Sequence, residues 1–152
     1  MKYRNSIPMI GAALLAASFA APGVFGARAA EASRPVGLQG VMQQLGRDVQ
    51  AVAGAISIED WSTVARLAPM IARHPEPPLG EKVRILAWLG SDAGRFRKFD
   101  GQVHDAAMAM GAAAERQDGD GVIAAFANTQ RSCLACHQNF RERFVEHFHR
   151  ED

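Results

Sequence analysis

Apolar residues return at steps of three and four along most of this chain. From Leu38 onward the positions Leu38, Val41, Met42, Leu45, Val49, Val52 and Ile56 are apolar between largely polar neighbours. That period follows one face of an α-helix and predicts an amphipathic helix over roughly 36–56. Asp60 stands where an N-cap is needed, and Trp61, Val64, Leu67 and Ile71 form the stripe of a second helix. This helix should stop before Pro75, because the residue preceding a proline is pushed out of the helical region. HPEPPLG, 74–80, is then a proline-rich connection. The pattern of EKVRILAWLG, 81–90, fits a short helix and a packed loop equally well. A third helix reads through Phe96, Phe99, Val103, Ala107 and Met110 and ends near ERQDGDG. A fourth begins at Asp118 or Asp120, either of which can cap it. Its stripe is Val122, Phe126, Thr129, Cys133, Cys136 or His137, Phe140, Phe144 and Phe148.

Four helices, with no strand signal and no internal repeat, predict an all-α fold, an antiparallel four-helix bundle. Each helix has one stripe to bury, and short links favour antiparallel neighbours. The link between the second and third helices is the long one. The thiols and the histidine fall on what should be the buried face of the last helix.

Composition narrows the function. Seventeen basic residues against 16 acidic ones give a formal charge of +1, which is not the footprint of a nucleic-acid binder. The basic run RFRK, 95–98, reads as a solvated helix face. Asp100 and Asp105, or Glu142 and Glu146, are helix-surface pairs with no second feature to make them hydrolytic.

The N-terminus points to export. Lys2 and Arg4 precede an apolar run from Ile10 to Ala21, and Ala27 and Ala29 form an A-x-A cleavage signal. The run is short of the roughly 20 apolar residues a spanning helix needs. Residues 1–29 are therefore expected to be a secretory signal peptide cleaved near Ala29/Ala30. The mature domain, 30–152, would be periplasmic, with no membrane insertion. Cleavage would remove three basic residues and no acid, leaving a slightly acidic chain.

The chemistry concentrates in RSCLACHQNF, 131–140, which holds both cysteines of the chain, Cys133 and Cys136, and His137 beside them. Three uses compete: half of a zinc site, a redox-active disulfide, and covalent haem attachment. A structural zinc needs four ligands, and there is one C-x-x-C with no second pair. A thioredoxin-like pair belongs in a strand-to-helix setting that an all-helical chain lacks. A plain disulfide gives the adjacent histidine nothing to do. C-x-x-C-H accounts for all three residues: two thiols on one side of a helical turn form thioethers to the haem vinyl groups, and the next imidazole is placed under the iron.

With that motif late in an all-helical, exported chain, the sequence resembles the class II cytochromes c, the cytochrome c′ family, from about Leu38 to Arg143. CLACHQNFR at the end and VMQQLGRDV in the first helix carry the resemblance. It implies one covalently bound haem c on Cys133 and Cys136, with His137 as proximal iron ligand. Arg141, one turn beyond, would touch the haem edge or tune the imidazole. The family divides on the distal side. High-spin members place an apolar residue there, while a low-spin branch, the c-556 type, places a methionine. Here the matching position is Met42, which the resemblance makes the sixth ligand. Met70, Met108, Met110, His74 and His104 are the rivals; Met110 reads as packing and His104 as a surface histidine. Many members carry a basic residue one turn before the distal position for a haem propionate. This chain has Leu38 there, with Arg34 a turn earlier.

Methionine–histidine ligation stabilises ferrous iron and closes the sixth site. The expected function is a periplasmic one-electron carrier, not an enzyme, serving a redox partner protein. Arg141, Arg143 and the basic end around Arg150 would orient an acidic partner. The alternative is a high-spin cytochrome c′ that binds NO or CO at an open distal site. A third class, an interaction or sensory module with haem as a structural core, predicts function without redox turnover. Family members are often homodimers through their first two helices, and Trp61 would lie in that interface or in the core.

Overall fold

In a computed structural model that describes residues 37–148, the chain forms five α-helices. They are α1 (Leu38–Ser57), α2 (Trp61–Ala72), α3 (Leu79–Leu89), α4 (Ala93–Glu115) and α5 (Gly119–Phe148). The proposed signal peptide 1–29, Arg34 and Arg150 lie outside the described residues. No described helix is long and apolar enough to cross a membrane.

The two tight turns of the bundle have the same construction. At the end of α1, Glu59 takes a left-handed conformation with φ 58°, and the Asp60 N–H donates to the Ala55 carbonyl at 2.9 Å. At the end of α4, Gln117 has φ 56°, and the Asp118 N–H donates to the Ala113 carbonyl at 3.0 Å. Both are Schellman motifs, which satisfy the last helical carbonyls and reverse the chain. The aspartate that closes each motif then caps the next helix. Asp60 accepts from the Thr63 N–H at 3.0 Å and from the Ser62 hydroxyl at 2.8 Å. Those bonds hold its carboxyl down at about 2. Asp118 accepts from the Gly121 N–H at 2.9 Å, so of the two caps expected for the last helix it is Asp118 that serves.

Residues 81–89 belong to a helix, α3. Pro77 and Pro78 set it off from the connection, with Pro78 at its N-cap position, where a missing N–H costs nothing. Gly90, at φ 53°, ends it in a conformation that a side chain would strain. A short 3₁₀ turn, Gly90–Asp92, leads into α4. The long connection thus carries a helix of its own, while α1, α2, α4 and α5 make the antiparallel four-helix bundle. α4 packs closely on both α2 and α5, and α1 packs on α2; α1 and α5 meet far more sparingly.

Packing divides the apolar core into two clusters. One joins Val52, Val64, Ile71, Met110 and Val122 from the four bundle helices, with Trp61 against it. Trp61 is half-buried against this cluster, and its ring lies where a Cβ on Gly119 would come within 3.3 Å, so that glycine makes room for it. The second cluster joins Ile85 and Leu89 of α3 with Phe140 and Phe144 of α5, ringed by Leu38, Trp88, Phe96 and Phe99. The start of α1 thus packs with the end of α5, and the end of α1 with the start of α5, which makes these two helices antiparallel.

Candidate functional site

Cys133 and Cys136 lie one turn apart on α5, about 4.5 Å along the axis, and both are half-buried. Cys133 packs against the first core cluster and Cys136 against the second. The two thiols therefore stand where the apolar core is interrupted. Both are free. Burial raises the Cys133 thiol above its ordinary value. Burial, with Asp100 and Cys133 adding to it, pushes Cys136 up to about 11.

These directions argue against one use of the pair. A redox-active dithiol works through a stabilised thiolate in an electropositive setting; both thiols here stay protonated. Among the described residues no three His, Cys, Asp or Glu side chains converge as metal ligands, so zinc finds no donor set beside them. The apolar surroundings of the two thiols suit an apolar, planar group.

His137 departs from the expectation that it shares the buried face. Its side chain is exposed. At about 100° per residue, the mean direction of Val122, Ala125, Thr129, Phe140 and Phe144 lies roughly 70° around the helix from His137. The stripe runs through the cysteines, and the histidine flanks it. Partial burial, with Arg141 adding its charge, lowers the imidazole below its ordinary value. His137 is therefore neutral near pH 7, the form whose ring nitrogen can ligate a metal. Arg141 is exposed one turn beyond it, and its charge reaches the ring.

Met42 repeats the displacement on α1. It is 37% exposed, while its neighbour Val41 is buried. The mean direction of Val41, Asp48, Val52 and Ala55 lies roughly 110° from Met42, in the same rotational sense as for His137. On antiparallel neighbours, equal senses carry two side chains either to the shared seam or both away from it. Met42 and His137 contact one another, so they flank the α1–α5 seam.

The rivals are distributed elsewhere. Met110 is fully buried in the first cluster, while Met70 and Met108 are exposed. His104 is not a free surface histidine: it is half-buried, with Nδ1 3.0 Å from the Ala72 carbonyl oxygen. His74 pairs with Asp100 at 3.1 Å.

Two contacts near the site were not foreseen from the sequence. Glu81 on α3 accepts the Leu38 N–H at 2.7 Å and so caps α1 from 43 residues away. Gly37 at the N-cap position has no side chain to do this, and that missing cap was the available signal. Trp88 lies in the second cluster, stacked on His147 at 5.0 Å with the Arg143 guanidinium 5.3 Å from its ring centre. Arg143 is also held by Asp92 at 3.0 Å, so its charge is partly engaged within the chain.

A family model described as cytochrome C′ matches residues 37–141, from the start of α1 to the turn beyond His137. No curated protein and no solved structure matches the chain. Members of that family are non-catalytic haem proteins with covalently bound haem c, and are typically periplasmic. The residues present fit such a group. The C-x-x-C-H thiols are protonated at a break in the apolar core, and a neutral imidazole stands beside them.

Proposed function

The chain belongs to the cytochrome c′ family, and on that premise we propose that it is a one-electron carrier of the periplasm, of the low-spin type. In this reading Cys133 and Cys136 would hold the haem covalently through two thioethers. His137 and Met42 would both ligate its iron. Residues 1–29 act as the cleaved export signal, and a redox partner protein donates or accepts the electron. When bound, the haem supplies a one-electron couple whose ferrous form a thioether ligand favours. The protein's part is to hold the two ligands, exclude water from the iron and present one edge to the partner. Arg141 acts on the His137 ring through its charge.

The observation that carries the proposal is the pairing of Met42 with His137 across the α1–α5 seam, both turned off their core stripes toward each other. A methionine that merely filled the core would lie on the stripe, as Met110 does. The second reading, an open distal site for NO or CO, draws on the 37% exposure of Met42, which would let it swing aside.

Absorption spectra of the purified holoprotein separate the two. Carrier function predicts a far-red sulfur-to-iron band in the oxidised state and little response to CO in the reduced state. Met42→Ala should abolish that band and open the iron to CO. An unchanged spectrum in this variant would show that Met42 is not the ligand.

A further inference from the structure

The connection after α2 and the α4 helix share an ion pair that haem binding as described does not use. His74 Nε2 lies 3.1 Å from an Asp100 carboxylate oxygen, and His74 Nδ1 lies 3.2 Å from the Pro75 carbonyl oxygen. Both partners are pure acceptors, so both ring nitrogens must carry hydrogen for both bonds to form. The fully bonded state of this ring is the imidazolium. Its side chain is 19% exposed, whereas that of Asp100 is 55% exposed. The histidine is thus the more enclosed partner, while the carboxylate keeps water on one side.

The pair sits close to the haem-bearing face of α5. Asp100 follows Phe99, whose ring centre is 6.1 Å from that of Phe140, and Phe99 and Cys136 pack on the same apolar cluster. The Asp100 charge reaches Cys136. The other titratable groups acting on the pair are Glu76 in the connection, itself bonded to Lys82 at 2.6 Å, and His104 on α4. His104 is anchored by the Ala72 carbonyl. Among these groups, His74 has both a raised proton affinity and an enclosed site.

We propose that the His74–Asp100 pair couples a proton to the electron carried by this protein. Reduction takes one electron from a one-electron donor protein and removes one positive charge from the iron centre. His74 then takes up a proton from solvent, to the extent that it was unprotonated, and releases it on reoxidation. With His74 neutral, the Asp100 carboxylate favours the oxidised centre; with His74 charged, its field is cancelled. The midpoint potential therefore falls as pH rises through the His74 titration. This inference rests on covalent haem at Cys136 but is independent of Met42.

The test is a spectroelectrochemical titration of the holoprotein over about pH 5 to 9, a range that brackets an upshifted imidazole. The wild type should show a downward step centred above the ordinary histidine value. A fivefold difference in His74 acidity between oxidation states reads as a step of about 40 mV, at 59 mV per tenfold. His74→Gln should lose the step and stay at the lower potential. His74→Lys, permanently charged, should lose it and stay at the higher one. A step of unchanged size in both variants, or no step in the wild type, overturns the proposal. The far-red band of the same samples reports Met42 ligation separately, so failure of the distal assignment is distinguishable from failure of the proton coupling.

Discussion

Removing the Glu81 carboxylate by Glu81→Ala tests how α1 is held at the end that carries Met42. The Leu38 N–H is one of the four donors that a helix start leaves without a partner. Glu81 satisfies it at 2.7 Å in a half-buried position. Gly37 offers no cap, and the first turn of α1 contains no acid, so nothing local can replace the lost acceptor. Deleting a capping side chain typically costs about 1 kcal/mol, and a charge-assisted bond raises this toward about 2 kcal/mol. For a domain of this size that corresponds to a fall in Tm of roughly 3–8 °C. Met42 lies four residues inside the same helix start, so under the proposed ligation fraying should also weaken its hold on the iron. The assays are thermal unfolding of the holoprotein by circular dichroism and the far-red band below the transition. Glu81→Gln retains an acceptor without the charge and should fall between wild type and alanine. If Glu81→Ala melts with the wild type and amide exchange over 38–42 is unchanged, the contact is incidental and the reasoning fails.

Gln117→Gly should stabilise the protein by about 0.5–1 kcal/mol, because residue 117 holds φ 56°, a conformation glycine adopts without steric cost; a lower Tm would refute it. Gly119→Ala places a Cβ 3.3 Å from the Trp61 ring and should cost about 1 kcal/mol as the ring shifts, read by denaturant unfolding with Trp fluorescence. The His74–Asp100 pair makes stability depend on pH from both sides. The raised His74 value contributes stability that is complete below 6.5 and is lost as pH rises through the raised value. The lowered Asp100 value contributes stability that is complete above 3.8 and is lost as pH falls through the lowered value. The plateau lies between the two. With Asp100 more than half exposed, its height should be at most about 1 kcal/mol, and His74→Gln should flatten it in melts taken across that range.

Much of this protein is legible residue by residue. The 3.6-residue period places the bundle helices, because each must bury one apolar stripe, and Asp60 and Asp118 mark helix starts through their own side chains. C-x-x-C-H needs no fold to be read, since a single helical turn sets the spacing of its two thiols and its imidazole. Other features depend on partners that are remote in sequence. No local rule tells α3 from a loop; its role emerges when Glu81 reaches Leu38. The ion pair joins residues 26 apart, and His104 finds the Ala72 carbonyl 32 residues away. Periodicity tells which positions are apolar, but a residue at the margin of a stripe faces either solvent or a neighbouring helix according to how the helices assemble. That is why His137 and Met42, both at such margins, acquire their meaning only when α1 and α5 lie side by side.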